Sequence, residues 1–255
     1  MENSTIESST AATAPAAEGS PAKRILAIVG VVVAVIALIV LACGTTTVEK
    51  LEVPISDQIW NTSMTKGDLA TADKYYYVYT DLVCPYCVAF ENQLVENEEE
   101  FEAFLAENNV VYEARITDFL YEHGTHNPIS SQYGAEALYC AEKQDRFWDY
   151  YDAAIVAIWN DFFINGLDES AFDQITKQYL IDIADSLDEP LTSDFADCLN
   201  NDETLSEVQA QTQKAYSTGL AGLPSMNFNG FEPAGFDLSW GWEYANYYLQ
   251  QGLNQ

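Results

Sequence analysis

The residues best suited to chemistry are two cysteines in the run Cys84-Pro85-Tyr86-Cys87. A β-rich run at residues 75–80 precedes them, and a helix-like run follows. A cysteine at a helix N-terminus meets free backbone N–H groups and the positive end of the helix dipole, which stabilise a thiolate. Two cysteines this close can also form a small, exchangeable disulfide. The motif therefore predicts thiol–disulfide exchange in which the thiolate of Cys84 is the attacking species.

A zinc site is the main alternative for this motif, because a CxxC often supplies half of the ligands of a tetrahedral zinc. The sequence has no second CxxC, and its only histidines are His123 and His126. Both histidines lie in a loop-like stretch and not at the spacing of a zinc finger. We therefore expect no metal here. A purely structural disulfide between Cys84 and Cys87 is a weaker alternative still.

The composition predicts one globular domain with appendages. The chain has 255 residues, of which 48% are hydrophobic, and a net charge of −30 from 10 basic and 40 acidic residues. This length and apolar content suffice for a domain with a good core. Phosphate binding needs clustered Lys and Arg, so nucleic acid is not an expected partner. The strong acidity is compatible both with a salty habitat and with a need for solubility.

The N-terminal region predicts attachment to a membrane. Residues 1–24 are rich in Ser, Thr, Ala and Glu without an apolar period, as in a disordered tail. Residues 25–42 form an uninterrupted apolar run after Lys23 and Arg24, just long enough to span a bilayer. The basic pair predicts a cytoplasmic tail and an extracytoplasmic body. A lipoprotein signal is the alternative, because the run ends in a lipobox-like sequence with Cys43 as the lipid site.

The two remaining cysteines, Cys140 and Cys198, are expected to form a structural disulfide. Cysteine is rarely left free in an oxidising compartment outside the cytoplasm. Both residues lie in helix-like stretches with apolar neighbours, so a buried and inert pair is expected. The alternative is two separate buried thiols that act as small hydrophobic side chains.

The order of elements predicts an α/β domain with a helical insertion, after a linker at residues 43–65. The predicted elements are a strand at 75–80, a helix from Val88 to about Glu107, a strand at 110–116, a helical block at about 130–217, a strand at 225–229 and a helix at 239–251. Within the block, helices are predicted at 130–143, 145–160, 168–187, 193–200 and 202–217. The first predicted helix carries a run of glutamates that we interpret as a solvated face. These glutamates are Glu91, Glu96, Glu98, Glu99, Glu100, Glu102 and Glu107.

Four stretches, in the right order, resemble parts of the DsbA-like proteins. They are residues 81–87 around the CxxC, 138–144 with 147–150, 195–199, and 219–225 with 229–230. The match covers roughly residues 66–252. The resemblance implies a thioredoxin-like α/β fold with a large α-helical insertion, here at about 130–217, following the N-terminal transmembrane segment. It also implies thiol–disulfide oxidoreductase activity on exported proteins, without a cofactor.

The resemblance assigns roles to individual residues of this chain. Cys84 is the nucleophile, and Cys87 is the resolving cysteine. The family implies that Pro224 has a cis peptide bond and faces the CxxC. The backbone of Leu223 would then pair with an extended substrate, as in strand addition.

The chain also departs from the family pattern near the motif. Many members have a buried acid six positions before the first cysteine, whereas this chain has Val78 there and Asp81 three positions before it. Strongly oxidising members carry a histidine between the cysteines, whereas this chain has Pro85 and Tyr86. Leu223 replaces the Thr or Val common before the cis-proline. These departures predict a thiolate that is less stabilised than in the strongest oxidants. The Cys84–Cys87 pair should therefore be less oxidising than theirs.

Together these features predict a membrane-tethered enzyme outside the cytoplasm that forms disulfides in exported, cysteine-containing proteins. The resemblance implies reoxidation by a membrane partner linked to quinones. The alternative is a reductase or isomerase of the same fold, supplied by a membrane electron donor. A non-catalytic holdase or adhesion module is a third possibility, which the intact CxxC disfavours.

Overall fold

The computed structural model describes residues 54–123, 127–166, 169–229 and 241–254. The predicted tail, the predicted membrane segment, Cys43 and His126 lie outside these ranges. Among the helices within these ranges, none is both long and apolar enough to cross a bilayer.

A mixed β-sheet runs through the described part of the chain, with four strands in the order β1-β3-β2-β4. The strands are β1 Thr65–Lys66, β2 Lys74–Thr80, β3 Val110–Ile116 and β4 Ser225–Phe228. β2 and β3 are parallel, while β1 and β4 are antiparallel to their neighbours. Every residue of β3 is buried, as expected of a central strand with both faces covered. The sheet agrees with the predicted strands at 75–80, 110–116 and 225–229, and it adds the short β1.

Helices precede β1, follow β2 and β4, and fill the long segment between β3 and β4. In chain order they are α1 Ile55–Gln58, α2 Pro85–Glu96, α3 Glu98–Asn108, α4 Phe119–His123, α5 Ile129–Glu142, α6 Phe147–Ile158, α7 Lys177–Ser186, α8 Ser193–Asn200, α9 Leu205–Ser217 and α10 Gly241–Leu253. α2 contacts α3, α6 and α10, so the helix that follows the CxxC lies between the insertion and the C-terminal helix. A disulfide joins Cys140 in α5 to Cys198 in α8, as the sequence predicted.

The predicted single helix from Val88 to about Glu107 is wrong, because the structure has two helices here. α2 begins three residues earlier than predicted, at Pro85, and α3 follows after a break at Asn97. The side chain of Asn97 donates to the carbonyl of Gln93, which replaces a helical backbone hydrogen bond. α3 ends at Asn108, and the C-cap residue Asn109 has the left-handed backbone conformation that commonly terminates a helix.

The helical block also differs in detail from the prediction. The predicted helix at 145–160 corresponds to α6, which continues in a π-helical turn, Trp159–Phe163. The predicted helix at 168–187 is instead a 3-10 segment, Glu169–Gln174, followed by α7. Thr176 separates the two, because its hydroxyl accepts a hydrogen bond from the backbone N–H of Tyr179 and caps α7.

Residues 54–64 belong to the folded unit, although the sequence suggested a linker up to residue 65. The backbone N–H groups of Trp60 and Asn61 donate to the carboxylate of Glu113 on β3. The guanidinium of Arg115 also lies 4.1 Å from the Trp60 ring and 3.6 Å from the Tyr77 ring. Stacking and hydrogen bonds therefore attach this segment to the sheet, which a polar sequence alone did not reveal.

Candidate active site

The turn between β2 and α2 places Cys84 at the start of the helix. Cys84 has an extended backbone and is the N-cap of α2, and Pro85 is the first helical residue. A proline is favoured there, because the first turn of a helix has no partner for its N–H groups. The N–H of Cys84 donates to the carbonyl of Asp81 at 3.0 Å, and the carbonyl of Cys84 accepts from Val88 at 2.9 Å. Local sequence chemistry thus sets the position of the first thiol.

The two thiols differ in their surroundings. Both are free, with Cys84 4% exposed and Cys87 fully buried, while Tyr86 between them is half exposed. Burial raises the pKa of Cys87 well above its ordinary value, and contact with Cys84 and the charge of Asp81 add to this effect. Cys87 is thus held as a thiol on the inner side of the helix. Cys84 lies at the margin of the site beside the exposed Tyr86.

Asp81 anchors the CxxC turn to the rest of the domain. Its side chain is fully buried. Oδ1 accepts from the N–H of Val83 at 3.0 Å, and Oδ2 accepts from the N–H of Leu120 at 3.0 Å and from the hydroxyl of Ser131 at 2.5 Å. Burial raises the pKa of Asp81 to about 6, although these three hydrogen bonds favour the charged form. The sequence identified this residue but not the contacts with α4 and α5.

The loop before β4 lies at the same end of the sheet as the CxxC turn. Ser225 pairs with Tyr79 near the end of β2, so Leu223 and Pro224 precede β4 where β2 leads into the motif. The Leu223–Pro224 peptide bond is cis, as the resemblance implied. Both residues are partly exposed, and the strand pairing brings their loop near the motif although they are distant from it in sequence.

Comparison of the sequence with known families shows which family has this strand–CxxC–helix arrangement. The family model described as thioredoxin matches residues 61–234, well over half of the chain. The chain belongs to the thioredoxin family. No curated protein sequence matches it closely enough to identify a relative.

Solved structures share the fold of this thioredoxin-family chain at low sequence identity. Oxidised BdbD from Bacillus subtilis has a TM-score of 0.56 at 16% identity, covering 75% of this chain and 93% of that one. MdbA, a thiol-disulfide oxidoreductase from Actinomyces oris, has a TM-score of 0.52 at 16% identity, covering 67% and 76%. Reduced DsbA from Mycobacterium tuberculosis has a TM-score of 0.51 at 14% identity, covering 75% and 95%. The chain therefore shares the fold of these proteins.

Glu91 is a residue of this thioredoxin-family site whose burial the sequence interpretation missed. The glutamates of α2 and α3 were expected to form a solvated face, and Glu91 contradicts this, being 2% exposed. The other glutamates of that run are exposed, as expected. Glu91 lies one helical turn after Cys87, and residues four apart share a helix face. The spacing from Cys87 could therefore have identified Glu91 as an inward-facing acid.

His123 is one of the two histidines that were considered for a zinc site. His123 packs against the rings of Phe119 and Tyr216, with centroids 5.5 and 4.5 Å away. Within the described ranges, no three or more His, Cys, Asp or Glu side chains are grouped as a metal site.

Proposed function

We propose that this protein exchanges disulfides with the cysteines of other proteins through Cys84 and Cys87. One observation carries the proposal. Cys84 is the N-cap residue of α2, while Cys87 is buried behind it as a thiol of raised pKa. A helix N-terminus favours negative charge, and the sulfur that lies there, that of Cys84, is also the one nearer the surface. The family and the fold shared with proteins named as disulfide oxidoreductases support the same chemistry.

The reaction needs only the two sulfurs and the substrate. A substrate thiolate attacks the sulfur of Cys84 in the Cys84–Cys87 disulfide, and the sulfur of Cys87 leaves as a thiolate that takes up a proton. The second substrate thiol loses its proton, attacks the substrate sulfur of the mixed disulfide, and Cys84 leaves. The substrate loses two electrons, which the enzyme gains, and the proton lost by the second substrate thiol balances the one that Cys87 takes up. Reduction uses the same steps in the opposite direction, whereas isomerisation goes back only as far as the mixed disulfide, which a different substrate thiol then resolves without net transfer of electrons.

The direction that we propose is disulfide formation. The resemblance of residues 81–87 and of the later stretches to the DsbA-like proteins supports it by analogy. Features of this chain itself support the alternative direction, reduction or isomerisation. Two buried acids, Asp81 and Glu91, lie around Cys87, and no Lys or Arg occurs between Lys74 and Arg115 in the sequence. Such surroundings stabilise a thiolate poorly and make the couple less oxidising.

The direction can be tested by equilibrating the pair with glutathione buffers and by assaying reduced ribonuclease as a substrate. If the protein is an oxidase, the reduction potential of the Cys84–Cys87 pair lies above that of the glutathione buffer. The oxidised protein should then restore ribonuclease activity. A reduction potential near that of thioredoxin, together with reduction of insulin and no oxidation of ribonuclease, would establish the reductive direction instead. Loss of both activities in Cys84→Ser, with activity retained in a Cys43→Ser control, would assign them to the motif.

The proposed location is the outer face of a membrane, with residues 25–42 as the anchor. The apolar run and the basic pair before it support this orientation. A membrane redox partner would restore the pair after each turnover. Protease added to cells with a permeable envelope should digest the body, and full protection would overturn the orientation. Mass spectrometry of the mature N-terminus separates an anchor with an intact tail from a lipid on Cys43.

A further inference from the structure

Tyr79 on β2 is attached to both ends of the loop that precedes β4. Its backbone pairs with Ser225, the first residue of β4. Its hydroxyl lies 3.0 Å from the hydroxyl of Thr218, the C-cap residue of α9. The segment between these two contacts, residues 219–224, is here called the pre-β4 loop. One residue of β2 thus fixes both where this loop leaves the helical insertion and where it enters the sheet.

A series of three hydrogen bonds with a single direction runs through the hydroxyl of Tyr79. A guanidinium N–H can only donate, and Nη1 of Arg115 donates to this hydroxyl at 3.1 Å. A carbonyl oxygen can only accept, and that of Ala215 accepts from the hydroxyl of Thr218 at 2.7 Å. Since the only proton of the Thr218 hydroxyl is used in this way, Tyr79 must donate to Thr218. Hydrogen bonds arranged in such a series strengthen one another.

The series starts from a group that is fixed within the sheet. Arg115 lies on β3, and its Nε donates to the buried carboxylate of Glu113 at 2.8 Å. The ring of Trp60 packs on the guanidinium and stands edge-on to the ring of Tyr79, with centroids 5.5 Å apart. Tyr79 itself is only 3% exposed. The protein, and not the solvent, therefore sets the position of the Tyr79 hydroxyl.

The series ends on the last turn of α9. The backbone N–H of Thr218 donates to the carbonyl of Ala215 at 3.1 Å, so backbone and side chain bind the same oxygen. Gly219 follows with a φ of 93°, a conformation that a glycine adopts easily. The chain thus turns away from α9 directly after the contact with Tyr79. A displacement of Thr218 would move the start of the pre-β4 loop with it.

We propose that Tyr79 is a positioning residue for the substrate, because through Thr218 it holds the pre-β4 loop where an extended segment of a protein substrate can bind beside Cys84. This inference rests on the proposed function, since the position of the loop matters only when a cysteine-containing segment lies between it and the motif. β2 carries Tyr79 and then leads into the CxxC turn, so the same strand places both sides of this binding site.

A purely structural role for Tyr79 is the competing explanation. A buried tyrosine with two hydrogen bonds also contributes to the free energy of unfolding. The two roles differ in how the effect depends on the size of the substrate. Loss of stability lowers the amount of folded protein and changes the reactions of small and large substrates alike. A displaced loop weakens the binding only of substrates that are long enough to reach it.

The test compares a long and a small substrate in Tyr79→Phe. The long one is an extended peptide with two cysteines, and its exchange with the Cys84–Cys87 pair is followed in the direction that the pair favours. The small one is Ellman's reagent, added to the reduced protein. Tyr79→Phe should raise the KM for the peptide by about three- to tenfold, the loss expected for one hydrogen bond. The kcat and the rate with Ellman's reagent should stay at the wild-type values.

Variants of Thr218 test whether the contact between the two hydroxyls is responsible. Thr218→Val should raise the KM as much as Tyr79→Phe does, while Thr218→Ser keeps a hydroxyl and should restore the wild-type value. The double variant Tyr79→Phe/Thr218→Val should be no worse than either single variant, because both remove the same contact. Tyr179→Phe on α7 is the matched control, since it loses one hydroxyl bond, to Asp161 at 2.9 Å, and should keep the wild-type KM.

Hydrogen–deuterium exchange over residues 219–224 gives a measurement that does not depend on activity. The amides of the pre-β4 loop should exchange faster in Tyr79→Phe and in Thr218→Val than in the wild type. If Tyr79→Phe fails to fold, Thr218→Val still tests the inference, because Thr218 lies at the surface.

Three results would overturn the inference: a wild-type KM in the folded Tyr79→Phe and Thr218→Val variants, additive effects in the double variant, or an equal rise in Tyr179→Phe. A different result would contradict the proposed function. If the wild type failed to react with the peptide, or if Cys84 failed to react with Ellman's reagent, the exchange chemistry itself would be wrong.

Discussion

The hydroxyl of Ser131 donates a hydrogen bond of 2.5 Å to the carboxylate of Asp81, across 50 positions of the sequence. This contact joins the turn that presents the CxxC to the first long helix of the insertion, α5. The insertion thus takes part in holding the active-site turn.

Removing this contact should destabilise the protein. Ser131→Ala leaves the buried carboxylate of Asp81 with one donor fewer, which should cost about 1–3 kcal/mol in the free energy of unfolding. Urea denaturation measures the effect. Ser130→Ala is the matched control, because the hydroxyl of Ser130 is buried without a hydrogen-bond partner in the described part of the chain. Equal losses in both variants would show that the contact with Asp81 contributes nothing specific.

The two active-site thiols should react at very different rates. In the reduced protein, iodoacetamide should modify Cys84 at least about tenfold faster than Cys87, since only thiolate reacts and the pKa of Cys87 is raised. Mass spectrometry of quenched samples locates the label. Cys87→Ala should then accumulate mixed disulfides with substrate thiols. Similar rates at the two positions would contradict the assignment of Cys84 as nucleophile.

Glu136 should make the stability depend on pH. It is buried in α5, and neither of its carboxylate oxygens has a hydrogen-bond partner within the described ranges. Burial raises its pKa from 4.5 to about 7, so the folded form binds this proton more tightly than the unfolded form does. The contribution of this group to the free energy of unfolding therefore falls as pH rises from about 4.5 to about 7.

Glu136→Gln should remove this loss of stability at higher pH. The variant should be more stable than the wild type at a pH of about 8, on the order of 2 kcal/mol, and the difference should shrink toward a pH of about 5. Urea denaturation across a pH series is the measurement. Exposed Glu207→Gln on α9 is the control and should follow the wild-type curve. A Glu136→Gln curve with the wild-type slope would disprove the assignment.

The disulfide in the insertion should contribute stability and not turnover. Cys140 and Cys198 close a loop of 58 positions, which the chain-entropy model values at about 4 kcal/mol. The double variant Cys140→Ala/Cys198→Ala should therefore have a lower Tm and keep thiol exchange by Cys84. Calorimetry and the Ellman assay measure the two properties. Loss of exchange at temperatures where the variant is folded, or free thiols at both positions in native protein, would contradict this role.

Much of the candidate site follows from sequence because its features are local. A β-rich run, a CxxC and a helical pattern predict the strand, the turn and the helix. The family resemblance added the cis bond at Pro224. Glu91 was misjudged because it stands among exposed glutamates, and a charge run gives no sign of which member faces inward. The break at Asn97 was missed for a similar reason, since one side-chain hydrogen bond to a nearby carbonyl ends the helix.

The sequence by itself determined that Cys84 precedes a helix, that Cys87 follows one turn later, and that the elements form an α/β domain with a helical insertion. These properties depend on neighbours a few residues apart. Only the tertiary structure decided that Asp81 is held by Leu120 and Ser131, and that Glu91 meets Tyr112 behind the thiols. Those partners are 21 to 50 positions away, and chain folding alone brings them into a shared interior where burial raises the pKa values of both acids.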